Sequence, residues 1–367
     1  MNELRFETLW KFLATLAIAV AGGAVFHLAG LPAAWLSGAM ILVAAATLAG
    51  VPTVMPNKFR DGLFVLLGIS MGAGVQPEVV ERVSEWPLSM AMLLLVVVGV
   101  TIAGYCVLRY AAHWQKETAF FGAIPGTLAY VIALASERRA DLPRIASTQS
   151  VRLFFLIALL PFAVVSTTDT DASVTVSRYA SDLWDYAIGV PLCILGSLLA
   201  VKVRFPGGWM TGAFFTSAAL NASGAIHLVL PESIVLTCMV AMGAVIGCRF
   251  NEMTFREFVS VLSASVAAFA AAFSVSVAGA GFVSWMIDIP FGQALLAFAP
   301  GGLEVMTLMA FVLDLDPAFV AAHQIVRFTG MVLLLPAITL ITIGRAPRSS
   351  GTAGHSSTIA TSDKPMT

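Results

Sequence analysis

Long apolar runs, separated by short clusters of Gly, Pro and charge, make up almost the whole chain. A helix of about 20 mostly apolar residues crosses the hydrocarbon core of a bilayer. The runs predict six segments at 11–29, 33–50, 61–76, 87–109, 118–136 and 145–166. Six more follow at 185–203, 207–226, 233–249, 258–286, 292–313 and 318–342. The second six repeat the first. Pro32, Trp35, Gly38 and Ala39 return about 175 residues later as Pro206, Trp209, Gly212 and Ala213. Pro56, Gly68 and Gly72 match Pro231, Gly243 and Gly247. Ala-x-x-Gln-x-Val-Arg occurs at Ala146–Arg152 and again at Ala321–Arg327. Internal repeats in a membrane chain point to a transporter-like architecture with its site where the repeats meet.

The fifth segment of each repeat breaks the pattern. Ile124-Pro125-Gly126 interrupts the first and Ala299-Pro300-Gly301-Gly302 the second. Proline removes a backbone donor, and glycine tolerates non-helical dihedrals. Such backbone survives at membrane depth only inside protein or beside a watery cavity. Each fifth segment is therefore a re-entrant hairpin or a discontinuous crossing helix.

Charge favours the hairpin, because Lys and Arg accumulate in cytoplasmic loops. If all twelve segments cross, Lys and Arg divide ten against eight between the faces. If the two fifth segments dip in and return, the division becomes sixteen against two, with Arg152 and Arg327 inside the membrane. Each repeat then crosses five times, and an odd number forces opposite orientations. The expected fold is an all-α polytopic membrane protein of two inverted-topology repeats. It has about ten transmembrane helices plus two re-entrant or broken Pro-Gly segments. Residues 1–166 and 184–344 form the repeats, 167–183 an acidic linker outside the membrane, and 345–367 a disordered tail rich in Ser, Thr, Gly and Ala. The apolar start is read as a retained first helix, because it has a counterpart at about 185–203. Both termini are expected in the cytoplasm.

Composition agrees: 59% of residues are hydrophobic and 11% charged, against about half and about a quarter in soluble domains. A net charge of -1 argues against a nucleic-acid partner. Cys106, Cys193, Cys238 and Cys248 lie in apolar runs with no metal spacing and read as reduced packing residues. The five histidines are scattered, so no metal or other cofactor is expected.

The candidate site follows from the breaks. Hairpins entering from opposite faces would bring Pro125, Gly126, Pro300, Gly301 and Gly302 together near the midplane, where helix N-termini favour anions. Gln149 with Arg152, and Gln324 with Arg327, are spaced to share one helical face. A buried arginine costs at least a few kcal/mol, so it needs a partner or a watery cavity. Two readings stay open. The arginines bind a small anion together, or each satisfies carbonyls freed at a break, with Arg327 paired to Glu304. Glu304, whose first-repeat counterpart is Ala129, is a coupling or charge-neutralising group. His323, which replaces Thr148, is a second coupling candidate. Asp141 and Asp316 read as helix caps, and the two G-x-x-x-G strings as close packing sites.

Leu-Pro-x-x-Trp-Leu-x-Gly-Ala at 31–39, Pro-Gly-Gly-Leu-Glu-x-Met at 300–306 and the two Gln-x-x-Arg pairs resemble the duplicated AbrB family of bacterial inner-membrane proteins. The resemblance covers roughly residues 10–342. The first repeat departs from it: Pro125-Gly126-Thr127 lacks the second glycine and the carboxylate. The family carries the labels transcriptional regulator and ammonia monooxygenase. A regulator that binds DNA needs a basic soluble module, and a monooxygenase a clustered metal site; neither is visible in the sequence. The topology is also similar to the glutamate and citrate symporters, the cation-antiporter/anion-transporter superfamily and bile-acid-type symporters. These readings imply a secondary transporter of a small anion, or a membrane sensor that regulates gene expression indirectly, and not an enzyme. The expected partners are the lipid bilayer and the ligand; whether the chain forms a homo-oligomer stays open.

Overall fold

The computed structural model describes residues 2–73, 86–126, 128–136, 138, 140–165, 182–224 and 226–342. The acidic linker, apart from its last two residues, and the C-terminal tail lie outside them, as do Arg82, Arg139 and Arg178.

The first repeat contains α1 (Asn2–Leu28), α2 (Ala34–Leu48), α3 (Asn57–Ala73), α4 (Trp86–Cys106, continued by a wide π turn, Val107–Ala111), α5 (Lys116–Ala123), α6 (Leu128–Ser136) and α7 (Leu142–Val165). The second contains α8 (Leu183–Lys202), α9 (Gly208–Ala222), α10 (Glu232–Gly247, followed by a 3₁₀ turn, Cys248–Glu252), α11 (Phe255–Ile287), α12 (Phe291–Phe298), α13 (Leu303–Val312) and α14 (Pro317–Thr342). Among the described residues six helices are long and apolar enough to cross a membrane. The α2 and α9 helices, 15 residues each, reach only about 22 Å at ~1.5 Å per residue. Large apolar side chains such as Val25, Leu95, Leu195 and Leu199 point outward and are more than half exposed, as a lipid-facing surface requires.

The repeats exchange helices rather than standing side by side. Gly68 and Gly72 of α3 meet the α9 backbone, where an added β-carbon would lie 2.4 Å from Met210 O and 2.5 Å from Phe214 O. Gly243 and Gly247 of α10 meet α2 at Leu36 O and Val43 in the same way. Each G-x-x-x-G string therefore packs against the second helix of the opposite repeat. Helices α1–α3 and α8–α10 form one bundle, and α4–α7 and α11–α14 the other. Pseudo-symmetric contacts also join the second bundle. Ser89 of α4 reaches His323 of α14 (2.8 Å), and Ser265 of α11 reaches Thr148 of α7 (3.2 Å).

The fifth segments enter and leave on one face. Thr118, at the start of α5, accepts a hydrogen bond from the Asp141 N–H just before α7 (3.0 Å). In the second repeat, Gly292 at the start of α12 abuts Leu315, which precedes α14, and Val164 at the far end of α7. The α5–α6 hairpin therefore opens at the end where α7 begins, and the α12–α13 hairpin at the end where α7 finishes. These are two re-entrant hairpins from opposite faces. We call these the A and B ends. The A end also holds the α2–α3 loop, tied to the turn after α10 by Asn251 Nδ2 donating to Thr53 O (2.6 Å). Every described Lys and Arg other than Arg152 and Arg327 lies at the A end. The B end carries Asp182, Asp185, Glu232, Asp288, Asp314 and Asp316. Asp141 and Asp316 cap α7 and α14: Asp141 Oδ1 accepts from Arg144 N, and Asp316 Oδ1 from Ala318 N and Phe319 N.

Candidate functional site

Each break is built alike. Proline offers no N–H, so α5 and α12 end in an extended residue, Ile124 or Ala299. A tight three-residue turn follows, with Gly126 N donating to Ile124 O (3.0 Å) and Gly301 N to Ala299 O (2.8 Å). The last carbonyls of each half-helix have lost their intrahelical donors. The Gln-x-x-Arg pair of the next helix supplies them. Gln149 Nε2 donates to Phe121 O (3.2 Å) and Arg152 Nη1 to Ile124 O (3.2 Å). In the second repeat Gln324 Nε2 donates to Leu296 O and Ala297 O. Arg327 donates from Nη1 to Ala299 O and from Nη2 to Gly301 O. A charged donor to a carbonyl contributes roughly 1.5–3 kcal/mol, which offsets part of the cost of burying each guanidinium.

These bonds do not use up the arginines, each of which has five N–H donors. Both line one cavity of about 420 Å³, together with Pro125, Gly126, Gln149, Pro300, Gly301, Gly302, Glu304 and Gln324. The N–H of Arg327 Nε is buried without a protein partner. The nine residues expected to bind substrate, and Glu304, thus converge on one space between the hairpin tips and the first bundle.

His323 does not. It is fully buried one turn before Arg327, enclosed by Phe319, Phe298 and Trp86. Nor is Glu304 paired with Arg327: the described ion pairs are Arg60–Asp61 and Arg144–Asp141. Glu304 sits in the first turn of α13, which aims its carboxylate at the first bundle. Its Oε1 lies 3.5 Å from where a β-carbon on Gly207 would be. It occupies the positive N-terminal end of α13, whereas the matching end of α6 carries no acid.

Beside Ser150, Leu153, Leu303 and Phe328 of the same helices, four residues beyond those candidates also line the cavity: Arg60, Arg249, Pro206 and Gly207. All four lie at the A end, and among the described residues no B-end loop contributes. The cavity therefore runs from the hairpin tips toward the A end. It gathers four arginines against one carboxylate. The signal for Pro206 was present in the repeated Pro-x-x-Trp motif. Arg60 and Arg249 read in sequence only as loop charges.

The sequence profile described as "Transition state regulatory protein AbrB" matches residues 35–342. The chain belongs to the AbrB family. It is similar to "Putative regulator AbrB" of Escherichia coli (strain K12), 26% identical over 346 residues, which cover 93% of this chain and 98% of that protein. It is also similar to "Uncharacterized protein YhjN" of Bacillus subtilis (strain 168), 24% identical over 358 residues, 90% of this chain and 92% of the relative. For a family with these names, the fold described is a polytopic helical membrane protein. Among the described residues no group of three or more His, Cys, Asp or Glu side chains could hold a metal ion.

Proposed function

We propose that the protein is a secondary transporter of a small anion, working by alternating access between its inverted repeats. One observation carries the reading: two guanidinium groups, one from each repeat, share a cavity at the hairpin tips that opens to one end. Fixed backbone around a pair of forked cations suits a carboxylate or phosphate. The glycine-lined helix contacts within the first bundle make it a rigid partner against which the second can rock. The excess of Lys and Arg at the A end supports placing that end, with both termini, in the cytoplasm of a bacterial inner membrane. The cavity is then in its inward-open state.

The names of the relatives favour a second reading, a ligand-binding sensor that acts on gene expression without flux. Both readings use the same cavity and are separated by transport. Purified protein is first screened by thermal shift against small carboxylates and phosphates. A hit is then loaded into proteoliposomes. The transporter reading expects a stabilising anion and saturable flux, both lost in Arg152→Ala. Stabilisation without flux turns the reading to a sensor. Equal stabilisation of parent and variant removes the arginines from the binding site.

A further inference from the structure

The Gln-x-x-Arg pair of the second repeat leaves one acceptor and one donor unused. In an unbroken helix Leu296 O and Ala297 O would accept from the N–H groups four residues on. There the chain has Pro300, with no N–H, and Gly301, whose N–H goes to Ala299 O instead (2.8 Å). Gln324 Nε2 takes both places, at 3.0 Å and 3.3 Å. An amide nitrogen has two hydrogens, so both are committed. Turning the amide over would set its oxygen against two carbonyls, so these partners fix its orientation.

The oxygen is left as a pure acceptor. Gln324 is fully buried, and its Oε1 has no partner among the described residues. Arg327 is in a matching state. Its Nη1 and Nη2 serve Ala299 O and Gly301 O, and its Nε–H is buried without a partner. Positions i and i+3 are neighbours on one helical face, and both residues line the cavity. An occupant of the cavity therefore meets one unanswered acceptor beside one unanswered charged donor.

A hydroxyl answers both: it accepts from Arg327 Nε–H and donates to Gln324 Oε1. An ammonium can only donate, and it would add positive charge where four arginines face one carboxylate. A hydrogen or methyl in the same place answers neither. Water can bridge the two groups before a ligand arrives. A hydroxyl then replaces it without losing a bond, whereas an apolar group displaces it at a loss. Nε also belongs to the rigid planar fork that attracts the charge, so hydroxyl and carboxylate must sit close together, as on adjacent carbons. We propose that the anion bound here is a small hydroxy acid, with its hydroxyl between Gln324 Oε1 and Arg327 Nε–H and its carboxylate on the guanidinium groups. Arg152 has one of its five N–H donors tied to Ile124 O, which leaves others for the carboxylate. This inference rests on the anion-binding reading of the cavity and narrows it to one class of ligand.

The test uses purified full-length protein, calorimetric titration and six probes: lactate and propionate, glycolate and acetate, glycine, and inorganic phosphate. Lactate should bind at least about tenfold tighter than propionate, and glycolate than acetate, because each deoxy acid leaves a buried acceptor and a charged donor unanswered. Gln324→Met keeps the length of the side chain and removes its oxygen. It should bring the preference for lactate down to about threefold or less while binding propionate nearly as before. Equal binding of lactate and propionate by the parent overturns the hydroxyl site and leaves the anion reading standing. That comparison needs no variant, so it decides the matter even if Gln324→Met does not fold. A preference that survives intact in Gln324→Met overturns the role of Gln324. Glycine binding tighter than glycolate makes the donor an ammonium, and phosphate binding alone excludes carboxylates; either overturns the proposed class. If none of the six binds, the anion reading fails and this inference with it.

Discussion

At the scale of single residues, the two arginines are alike in position and unlike in commitment. Arg152 holds one carbonyl, and Arg327 holds two and is 4% exposed. Arg327→Ala strands Gly301 O, at a cost of roughly 1–3 kcal/mol, and removes one of the two donors to Ala299 O, which keeps the Gly301 N–H. We expect it to lower the melting temperature in detergent clearly more than Arg152→Ala does, and equal losses would contradict the unequal bonding. Glu304 is the opposing charge in the cavity and forms no ion pair with Arg327. Glu304→Gln should keep the fold and tighten binding of a small anion roughly tenfold, the effect of removing one like charge worth about 1.4 kcal/mol at close range. Calorimetric titration measures this directly; weaker binding would mean that the carboxylate helps hold the ligand.

At the scale of elements, glycine decides how near the helices come. An added β-carbon at Gly68 or Gly243 would meet backbone oxygen at 2.4 or 2.5 Å, whereas at Gly62, on the same α3, it meets nothing within 4 Å. Gly68→Ala and Gly243→Ala should each cost about 1–3 kcal/mol through forced separation of α3 from α9 or α10 from α2. Gly62→Ala should be neutral or stabilising by up to about 1 kcal/mol, since alanine favours helix. Thermal melts of the three variants check the contrast. The positions of these helices were legible in the sequence, because apolar runs and glycine spacing survive without knowledge of any partner. Which helix each glycine faces was not, since α3 meets α9 across more than a hundred residues. The hairpins were legible only through charge counting, and the Thr118–Asp141 contact gives the same answer by geometry. The Gln-x-x-Arg pairs announced themselves by repetition. The bare oxygen of Gln324 could not: it acquires meaning only when both amide hydrogens are traced to the end of α12.

At the scale of the whole molecule, the inverted repeats make the cavity's other opening calculable. Pro206 and Gly207 line its A-end mouth, and their counterparts by repeat are Pro32 and Ala33. Gly207 and Ala33 both precede a helix in the left-handed region, at φ 64 and φ 49, so the two turns are the same device in opposite orientation. If the bundles rock, the mouth at Gly207 and Arg249 closes as one at Pro32 and Ala33 opens, with Arg152 and Arg327 facing the cavity throughout. Single-cysteine variants Arg249→Cys and Ala33→Cys, in a background lacking the four native cysteines, make this measurable with a membrane-impermeant thiol reagent. In the state described here Arg249→Cys should react from the A side and Ala33→Cys should react slowly from the B side. A bound anion that moves the equilibrium should change the two rates in opposite directions, because a ligand shifts a two-state population only by favouring one state over the other. Rates that rise or fall together, or that ignore an anion known to bind, would be those of a fixed receptor, and the sensor reading would then account for the cavity better than transport does.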